Sequence, residues 1–323
     1  MVAAKQTGNS GTVTVVNYHY VRDAGRSRYP AVKALSVDGF NAQLDYFSSQ
    51  FSFISMEELV EAVRGDRELP PNALLLTFDD GYIDHFTTAF PLLRNRGISG
   101  AFYPPVAAVA ERRVLDVNKI HFVLATAGDP AALVSTLFGL LDEYRARFDL
   151  HSNEWYYGQY AVGDRFDPPE IIFVKRLLQK GLPEGVRDRI VDRLFRQYVT
   201  EDEAAFAEEL YMTAEQLTCL RGAGMHIGCH GYEHCWLDSL PPAAQAAEVE
   251  RSVGYLVEKA LMAPEGWTIS YPYGGYNQAV LATVATRGCA LGFTVNQGAV
   301  EPGTVRPLEL PRFDTNDFPQ NAT

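Results

Sequence analysis

Short apolar runs rich in β-favouring residues alternate along the chain with longer stretches of helical periodicity. Six runs predict strands, namely TVTVVNYHY (12–20), ALLLTFDD (73–80), SGAFYPPV (99–106), MHIGCH (225–230), TISYPY (268–273) and LGFTVN (291–296). Helices are predicted between most of them, over residues 38–49, 56–64, 84–96, 241–261 and 277–287. This alternation is typical of βα units around a parallel sheet or barrel. The predicted fold class is therefore α/β.

Residues 107–220 interrupt the alternation. Segments such as AALVSTLFGLLDEYRARF and EGVRDRIVDRLFRQYV repeat apolar residues at intervals of three and four, which predicts a run of helices. We expect a helical insertion that separates an N-terminal part of the fold, 1–106, from a C-terminal part, 221–323. The insertion is expected to be a cap over the site, an extra packed layer or a dimerisation surface, so a homo-oligomer through it is one expectation.

Composition narrows the class of protein. Hydrophobic residues make up 47% and charged residues 21% of the chain, which is ordinary for a globular protein. Lys+Arg of 28 against Asp+Glu of 40 gives a net charge of −12, which argues against nucleic acid or an anionic membrane as the main partner.

Neither end of the chain nor its interior predicts membrane insertion or export. The start MVAAKQTGNSGTVTVV lacks the apolar core of a signal peptide, and no uninterrupted apolar run is long enough to form a transmembrane segment. The four cysteines, which include Cys229 and Cys235, show no CxxC spacing and indicate reduced thiols. The expectation is a soluble cytoplasmic protein.

Two adjacent aspartates, Asp79 and Asp80, precede Gly81 at the end of the predicted strand 73–80. Catalytic groups of α/β folds collect at the carboxyl ends of strands, so this pair is the first candidate site. A structural role is the alternative, because Asp commonly caps a following helix. Two neighbouring side chains at a strand end point in different directions, so we expect one ligand and one base rather than two caps.

A second candidate is the histidine pair His230 and His234 in MHIGCHGYEHCW. In a helical turn this spacing places both imidazoles on one face, where they could share a metal ion, although packed or solvated histidines are the alternative. His226 falls within the preceding strand, so a core or supporting role is expected for it. One carboxylate with two imidazoles leaves coordination positions open, as in catalytic zinc or non-haem iron sites. The second carboxylate could then take a proton from metal-bound water, whose pKa such an ion lowers to about 7.

These motifs carry a family resemblance. LLLTFDDGYIDHFTTAFPLLRNRGISGAFYPP resembles the first signature of the NodB-homology polysaccharide deacetylases, carbohydrate esterase family four. GMHIGCHGYEHCWL resembles their second signature, SYPYGGYN (270–277) resembles the third, and VVNYHYV looks like the opening strand of many members. The resemblance covers 12–106 and about 220–315.

The resemblance implies a distorted (β/α) barrel with fewer strands than the eight-fold form, and metal-dependent removal of N- or O-acetyl groups from a sugar. By position, it implies that Asp79 is the catalytic base and that Asp80, His230 and His234 bind a divalent metal ion, with zinc preferred. It also implies that the backbone N–H of Tyr273 helps to stabilise the oxyanion, whereas the structural alternative is a turn with an aromatic plug.

The sequence also departs from the family pattern. Ser270 stands where many members carry an arginine, and residues 278–300 contain no Asp to partner one. No histidine follows His234, so the usual general acid of the family is absent from LELPRFDTND. The arginine with its carboxylate partner, and the acid histidine, are thus expected to be lost.

Three groups could compensate for the missing acid. His19 ends the first strand and could reach the site, with a packed core histidine as the alternative. Asp314, or a water held by Arg312 and Asp314, is another route, but a carboxylate needs a raised pKa to act as an acid near neutral pH. Arg312 itself could orient Asp79 or bind an anionic substrate group, with a surface salt bridge as its structural alternative.

The sequence therefore predicts a hydrolase of non-peptide C–N bonds that removes an N-acetyl group from a sugar or glycan intermediate. Two alternatives stay open within this fold: a deformylase or other small-amide hydrolase, and a metal-binding relative that binds glycans without turnover. An iron oxygenase with the same ligand set is disfavoured, because the first signature is intact in an α/β chain.

Overall fold

The computed structural model describes residues 11–321, and they fall into two compact units. The helical unit comprises Ala24–Lys33 and Arg113–Ala207, and thus includes a short segment outside the predicted insertion. The α/β unit comprises the described residues up to Asp23, Ala34–Arg112 and those from Glu208 onward. The first ten residues, on which the expectation of no signal peptide partly rests, lie outside the described residues.

All the strands belong to the α/β unit. They are β1 (Val13–Tyr18), β2 (Ser52–Phe53), β3 (Ala73–Asp79), β4 (Gly100–Tyr103), β5 (His226–Ile227), β6 (Trp267–Ser270), β7 (Cys289–Phe293) and β8 (Phe313–Asp314). The six predicted runs correspond to β1 and to β3 through β7. The strands β2 and β8 were not predicted, because two residues are too few to show a period.

The helices run from α1 to α13 in chain order. They are α1 (Val37–Gln50), α2 (Met56–Arg64), α3 (Phe90–Asn95), α4 (Val106–Ala110), α5 (Asp116–Thr126), α6 (Pro130–Arg145), α7 (Asn153–Tyr160), α8 (Pro169–Arg176), α9 (Glu184–Tyr198), α10 (Glu203–Leu210), α11 (Ala214–Gly222), α12 (Pro242–Glu258) and α13 (Gln278–Thr286). The five predicted helices correspond to α1, α2, α3, α12 and α13. The predicted helix 84–96 differs at its start, where His85–Ala89 form a π-helical turn before α3.

Local signals in the sequence explain where several of these helices begin and end. Ser55 and Glu58 form a capping box at the start of α2, and Gly65 ends that helix in the left-handed conformation. Gly97 and Gly288, which follow α3 and α13, also have positive φ angles of 66° and 79°.

Every pair of neighbouring strands is parallel. The larger sheet has the order β5-β4-β3-β1-β8, with β2 also paired to β3, and β6 pairs with β7. Two parallel bridges, Cys229 with Ile269 and Phe293 with Leu310, continue the pairing from the end of β5 to β6 and from β7 to the segment before β8. The α/β class predicted from the sequence is confirmed, and the path of pairing is that of a distorted barrel.

The burial and register of the central strands determine where the residues that follow them lie. Every residue of β1 and β3 is buried, as expected for apolar strands covered on both faces in a parallel sheet. Tyr18 pairs with Phe78, and Asp79 pairs with Tyr103. The residues that follow β1, β3 and β4 therefore emerge at one edge, the carboxyl edge of the sheet.

The helical unit has its own core. Phe122 of α5 and Phe195 of α9 both pack edge-on against Phe206, with ring centroids 4.7 and 5.3 Å away. The nearly buried Lys119 pairs with Asp192 at 2.6 Å. None of the helices in residues 11–321 combines the length and the apolar character needed to cross a membrane.

Candidate active site

The turn after β3 separates the two aspartates. Asp79 is the last residue of the strand, whereas Asp80 and Gly81 have φ angles of 75° and 66°. A Cβ atom on Gly81 would lie 2.9 Å from Pro104 Cβ, so this turn requires glycine. Neither aspartate caps the next helical segment: the Asp79 oxygens bind Arg312 and Ser270, Asp80 Oδ2 binds Tyr82, and Asp80 Oδ1 has no hydrogen-bond partner among the described residues. The capping alternative is therefore wrong for both Asp79 and Asp80.

The segment that carries the two histidines is a loop and not a helical turn, so the helical interpretation of their spacing is wrong. Gly231 and His234 both adopt the left-handed conformation, with φ angles of 71° and 55°. The loop nevertheless brings the imidazole rings of His230 and His234 to a centroid distance of 4.8 Å.

Asp80, His230 and His234 converge in the interior. Asp80 Oδ1 lies 3.3 Å from His230 Nε2 and 3.1 Å from His234 Nε2, and all three side chains are buried. The three potential ligand atoms lie within 4.8 Å of one another. Asp80 Oδ1 accepts no hydrogen bond from any described residue. One anionic oxygen and two imidazole nitrogens facing a common point fit a divalent cation.

Neighbouring groups orient two of these ligands. The hydroxyl of Tyr82 donates to Asp80 Oδ2 at 2.6 Å, which leaves Oδ1 directed at the histidines. Burial raises the pKa of Tyr82 well above its ordinary value, so Tyr82 stays a donor. Nδ1 of His230 donates to the carbonyl oxygen of Ser270 at 2.6 Å, so its Nε2 carries the lone pair.

Asp79 forms a buried ion pair with Arg312. The guanidinium donates from Nη1 to Asp79 Oδ1 at 3.1 Å and from Nη2 to Oδ2 at 2.8 Å. Ser270 Oγ donates to the same Oδ2 at 2.9 Å and accepts from Arg312 Nη2 at 3.0 Å. The small Ser270 side chain thus hydrogen-bonds both members of the ion pair.

The remaining donors of Arg312 are also occupied. Nη1 contacts Asn17 Oδ1 at 3.0 Å and Thr77 Oγ1 at 3.2 Å, and Nε donates to the carbonyl oxygen of Thr294 at 3.3 Å. Arg312 is only 4% exposed, so it is neither a surface ion pair nor directed at an anionic substrate group. Its geometry is that of a residue that orients Asp79.

The ion pair determines the charge state of Asp79. Burial raises the pKa of this carboxyl, but the charge of Arg312, followed by that of His230, outweighs burial and lowers the pKa to about 2. Asp79 is therefore an anion over the whole neutral range. This pairing stabilises the fold above the ordinary pKa of 3.8, and the stabilisation is lost as the pH falls through about 2.

Replacing Arg312 by Gln is expected to lower the free energy of unfolding at pH 7 by about 3–5 kcal/mol, because it leaves a buried carboxylate without its counter-charge. The difference from wild type should shrink at pH 3, where the wild type also begins to lose this contribution. Urea unfolding at both pH values measures it.

Arg306→Gln is the control for this substitution, since Arg306 is 81% exposed and pairs with Glu309 at the surface. It should change the free energy of unfolding by no more than about 0.5 kcal/mol. Equal losses in the two variants, or a difference from wild type that does not depend on pH, would count against the role of Arg312.

His19 lies directly after β1, at the same carboxyl edge, and its side chain is exposed. Nε2 of the buried His85 donates to the carbonyl oxygen of His19 at 2.8 Å, which fixes the backbone there. Burial lowers the pKa of His85 to about 4, so this imidazole is neutral.

Asp314 has a local structural task. Its Oδ1 accepts from the backbone N–H of Asn316 at 2.8 Å, and its own N–H donates to Asp317 Oδ2 at 3.0 Å. These bonds form a capping box on the short 3₁₀ turn Thr315–Asp317. Asp314 is therefore engaged in this turn, whereas His19 lies exposed at the carboxyl edge of the sheet.

The Pro-Tyr-Gly turn brings aromatic rings to the histidines. Tyr273 has a φ angle of 57°, and its ring stacks on Trp236 at 4.9 Å and packs edge-on against His234 at 4.6 Å. A Cβ atom on Gly274 would lie 2.4 Å from Val295 Cγ2, so this turn also requires glycine. Asp80, His234 and Tyr273 are thus non-glycine residues in a left-handed conformation, a form of backbone strain that clusters at functional sites.

Sequence reasoning missed several residues that support the site. Tyr82 and His85 lie inside the first motif, so their proximity to the aspartates was a usable signal. Ser270 was noted as the loss of an arginine, not as a partner of Asp79. His226 bonds Thr268 Oγ1 at 2.9 Å and Glu57 at 3.2 Å, outside the ligand group.

Comparison with known proteins decides the family. Residues 128–291, which are 164 of the 323 residues, match the family model described as polysaccharide deacetylase. The chain belongs to the polysaccharide deacetylase family. The matched segment includes His230, His234 and the Pro-Tyr-Gly turn, and it contains neither the two aspartates nor Arg312.

Membership in the polysaccharide deacetylase family confirms the predicted enzyme class, a hydrolase of C–N bonds other than peptide bonds. Deacetylases of this family are metal-dependent, and the group formed by Asp80, His230 and His234 could hold an ion.

Curated relatives match a short stretch of this chain. The poly-beta-1,6-N-acetyl-D-glucosamine N-deacetylases of Escherichia coli K12 and O157:H7 are each 32% identical to it over 92 residues. The match covers 28% of this chain and 13% of the length of either relative.

Several solved structures of deacetylases share the fold of this chain. The Streptococcus pyogenes deacetylase PplD, in complex with acetate, aligns with a TM-score of 0.58 at 17% identity and covers 95% of this chain and 93% of its own. IcaB from Ammonifex degensii gives 0.57 at 20% identity, with 94% and 91% covered. The deacetylase domain of BpsB from Bordetella bronchiseptica gives 0.55 at 17%, with 96% and 97% covered. These similarities confirm the predicted deacetylase-type fold.

Proposed function

We propose that this protein is a metal-dependent N-deacetylase that removes acetyl groups from acetamido sugars of a glycan. The observation that carries the proposal is the convergence of Asp80, His230 and His234 beside an ionised Asp79, in a chain of the polysaccharide deacetylase family. The names of the curated relatives make β-1,6-linked N-acetylglucosamine oligomers the first substrate to test.

The residues present fit a divalent cation. Asp80 Oδ1 is buried without a hydrogen-bond donor from the described residues, and it faces two imidazoles that are 2% and 6% exposed. A mixed carboxylate and imidazole set with positions left open suits Zn²⁺ and other late divalent metals, and zinc is our choice. When bound there, the ion supplies Lewis acidity and lowers the pKa of a coordinated water.

The chain's own groups then have separate tasks. Asp79, held as an anion by Arg312 and Ser270, accepts the proton of the water that attacks the acetyl carbonyl carbon. The backbone N–H of Tyr273 is proposed to donate to the oxygen that becomes negative. The C–N bond breaks as the nitrogen gains a proton, and the products are acetate and the free amino sugar.

We propose that His19 supplies that proton. An exposed imidazole at the carboxyl edge of the sheet can exchange protons with solvent, and histidine is the side chain most often used as a general acid. A proton donor at His19 would replace the missing acid histidine of the family. The proposal therefore favours turnover over a glycan-binding role.

Replacing His19 by Gln is expected to lower kcat on an acetamido sugar by about 10²- to 10⁴-fold, because the amine leaving group needs a proton. Hydrolysis of 4-nitrophenyl acetate should fall far less, since its phenolate leaves without one. Because His19 is exposed, the free energy of unfolding should change by no more than about 0.5 kcal/mol.

His151→Gln, at an exposed histidine of the helical unit, serves as the control and should leave both rates unchanged. Equal losses on the sugar and on the ester, or no loss on the sugar, would show that His19 is not the acid.

Product analysis separates this function from its rivals. Zinc-loaded protein is incubated with N-acetylated and N-formylated glucosamine oligomers, and acetate and formate are quantified by proton NMR. Acetate from the first substrate supports the proposal. Formate alone would favour a deformylase, and glycan binding without either product would favour a binding role.

The role of residues 107–220, as a cap or as a surface for a homo-oligomer, stays a prediction, and so does the cytoplasmic location. Size-exclusion chromatography with light scattering tests whether the protein forms a homo-oligomer. Fractionation of the source cells tests the location.

A further inference from the structure

The conformation of the loop that carries His230 and His234 depends on hydrogen bonds to residues outside the loop. A helical turn would hold His230 and His234 in register through its own hydrogen bonds, but this loop is not helical. Gly231 and His234 are both left-handed, and for a non-glycine residue this conformation is sterically unfavourable. The spacing of the two imidazoles therefore depends on the groups that bind the loop backbone.

The carbonyl groups of the loop are bound by backbone donors. The N–H of Val106 donates to the carbonyl oxygen of Gly231 at 3.3 Å, and the N–H of Ala107 donates to that of Tyr232 at 2.9 Å. Both donors are in the first turn of α4, where N–H groups lack partners within the helix.

Two backbone N–H groups of the loop, those of Tyr232 and Glu233, donate to the same side chain. Glu248 Oε2 accepts from the backbone N–H of Tyr232 at 3.1 Å and from that of Glu233 at 2.9 Å. Glu248 is only 8% exposed, so a carboxylate with few water contacts is committed to these amides. Hydrogen bonds to a charged acceptor are stronger than those between neutral groups.

Helix α12, which carries Glu248, also binds Cys229, the residue before His230. Ser252, one turn after Glu248 on α12, accepts from Cys229 Sγ at 3.3 Å, and both residues are fully buried. Residues four apart share one face of a helix, so Ser252 and Glu248 present a common surface to the segment that carries His230. Arg251 of α12 also lies over the ring of Tyr232, 3.6 Å from its centroid.

We infer that Glu248 is a positioning residue that sets the geometry of the two histidine ligands through the loop backbone. It contacts neither the proposed ion nor the substrate, and it acts by fixing the amides of Tyr232 and Glu233. The inference deepens the proposed function in that it concerns the same metal site, but it requires no particular substrate.

Metal affinity tests the inference directly. Dissociation constants for Zn²⁺ and Co²⁺ are measured by chelator competition on the full chain, together with the visible absorption of the Co²⁺ form, which reports ligand geometry. Glu248→Ala is expected to weaken binding about 10- to 100-fold and to change the Co²⁺ spectrum. Glu248→Gln keeps an oxygen that can accept from both amides and should recover most of the affinity. Glu250→Ala, at a half-exposed glutamate on the same helix that pairs with Arg287, should match wild type.

Wild-type affinity and spectrum in Glu248→Ala would overturn the inference and leave Glu248 as a structural anchor, whatever the loss of stability. If Glu248→Ala does not fold, Glu248→Asp replaces it. The shortened side chain should weaken binding while Gln does not, and equal affinities for Asp and Gln would overturn the inference. Wild-type protein that binds metal but releases no acetate would count against the proposed function alone, and wild-type protein that binds no metal would overturn both.

Discussion

Replacing Asp80 by Ala is expected to abolish metal binding and to lower kcat/KM for acetate release by about 10³-fold or more, since Lewis-acid stabilisation is worth several kcal/mol. The substitution removes the one anionic ligand and leaves two neutral imidazoles. It also leaves the Tyr82 hydroxyl, which donates to Asp80 at 2.6 Å, without its acceptor. The metal content of dialysed protein, measured by mass spectrometry, and acetate release are the readouts.

Asp167→Ala is the matched control for this prediction. Asp167 is also buried, but it pairs with Lys33 and Lys175, at 2.5 and 2.6 Å, within the helical unit. Its replacement should lower stability and leave the metal content per folded chain unchanged. One metal per chain in Asp80→Ala would contradict the ligand assignment.

Replacing Asp79 by Asn should have the complementary effect: the metal stays, and kcat falls by about 10²- to 10⁴-fold, the usual contribution of a general base. An amide can still accept hydrogen bonds from Arg312, but it cannot take a proton from water near neutral pH. Single-turnover acetate release by metal-loaded protein measures the loss.

In Asp79→Asn, the loss of catalytic activity must be distinguished from a loss of folding stability. Asp79→Asn leaves the Arg312 guanidinium buried without a counter-charge, which is expected to lower the free energy of unfolding by about 3–5 kcal/mol. The double variant Asp79→Asn/Arg312→Gln removes that charge and should regain part of the stability while staying inactive. Activity near wild type in either variant, or loss of the metal, would show that Asp79 is not the base.

The parts of the fold and site that could be predicted from the sequence are those whose signal is local. The strands β1 and β3 were predictable because both faces are buried and their apolar runs are continuous. Asp79 and Asp80 were identified because they directly follow such a run. The two-residue strands β2 and β8 and the π-helical turn leave no comparable pattern.

Long-range pairs could not be predicted in this way. Arg312 lies 233 positions after Asp79, and the sequence left open whether it would orient Asp79, bind an anionic substrate group or form a surface salt bridge. The absence of an arginine at position 270 was interpreted as a loss, whereas in the structure Arg312 pairs directly with Asp79 and Ser270 hydrogen-bonds both. The role of Glu248 could not be predicted either. A glutamate within a helix gives no sign that it binds the backbone of Glu233 and Tyr232, which lie 15 and 16 positions earlier in the chain.

The most direct test of the central claim, metal-dependent deacetylation at this site, is a titration of metal-free protein with Zn²⁺ while acetate release from a β-1,6-linked N-acetylglucosamine oligomer is followed. Activity should rise from the background and saturate at one equivalent per chain in wild type, and it should stay at the background in Asp80→Ala. Acetate release that does not depend on added metal, or a titration curve that is the same in both proteins, would contradict the account.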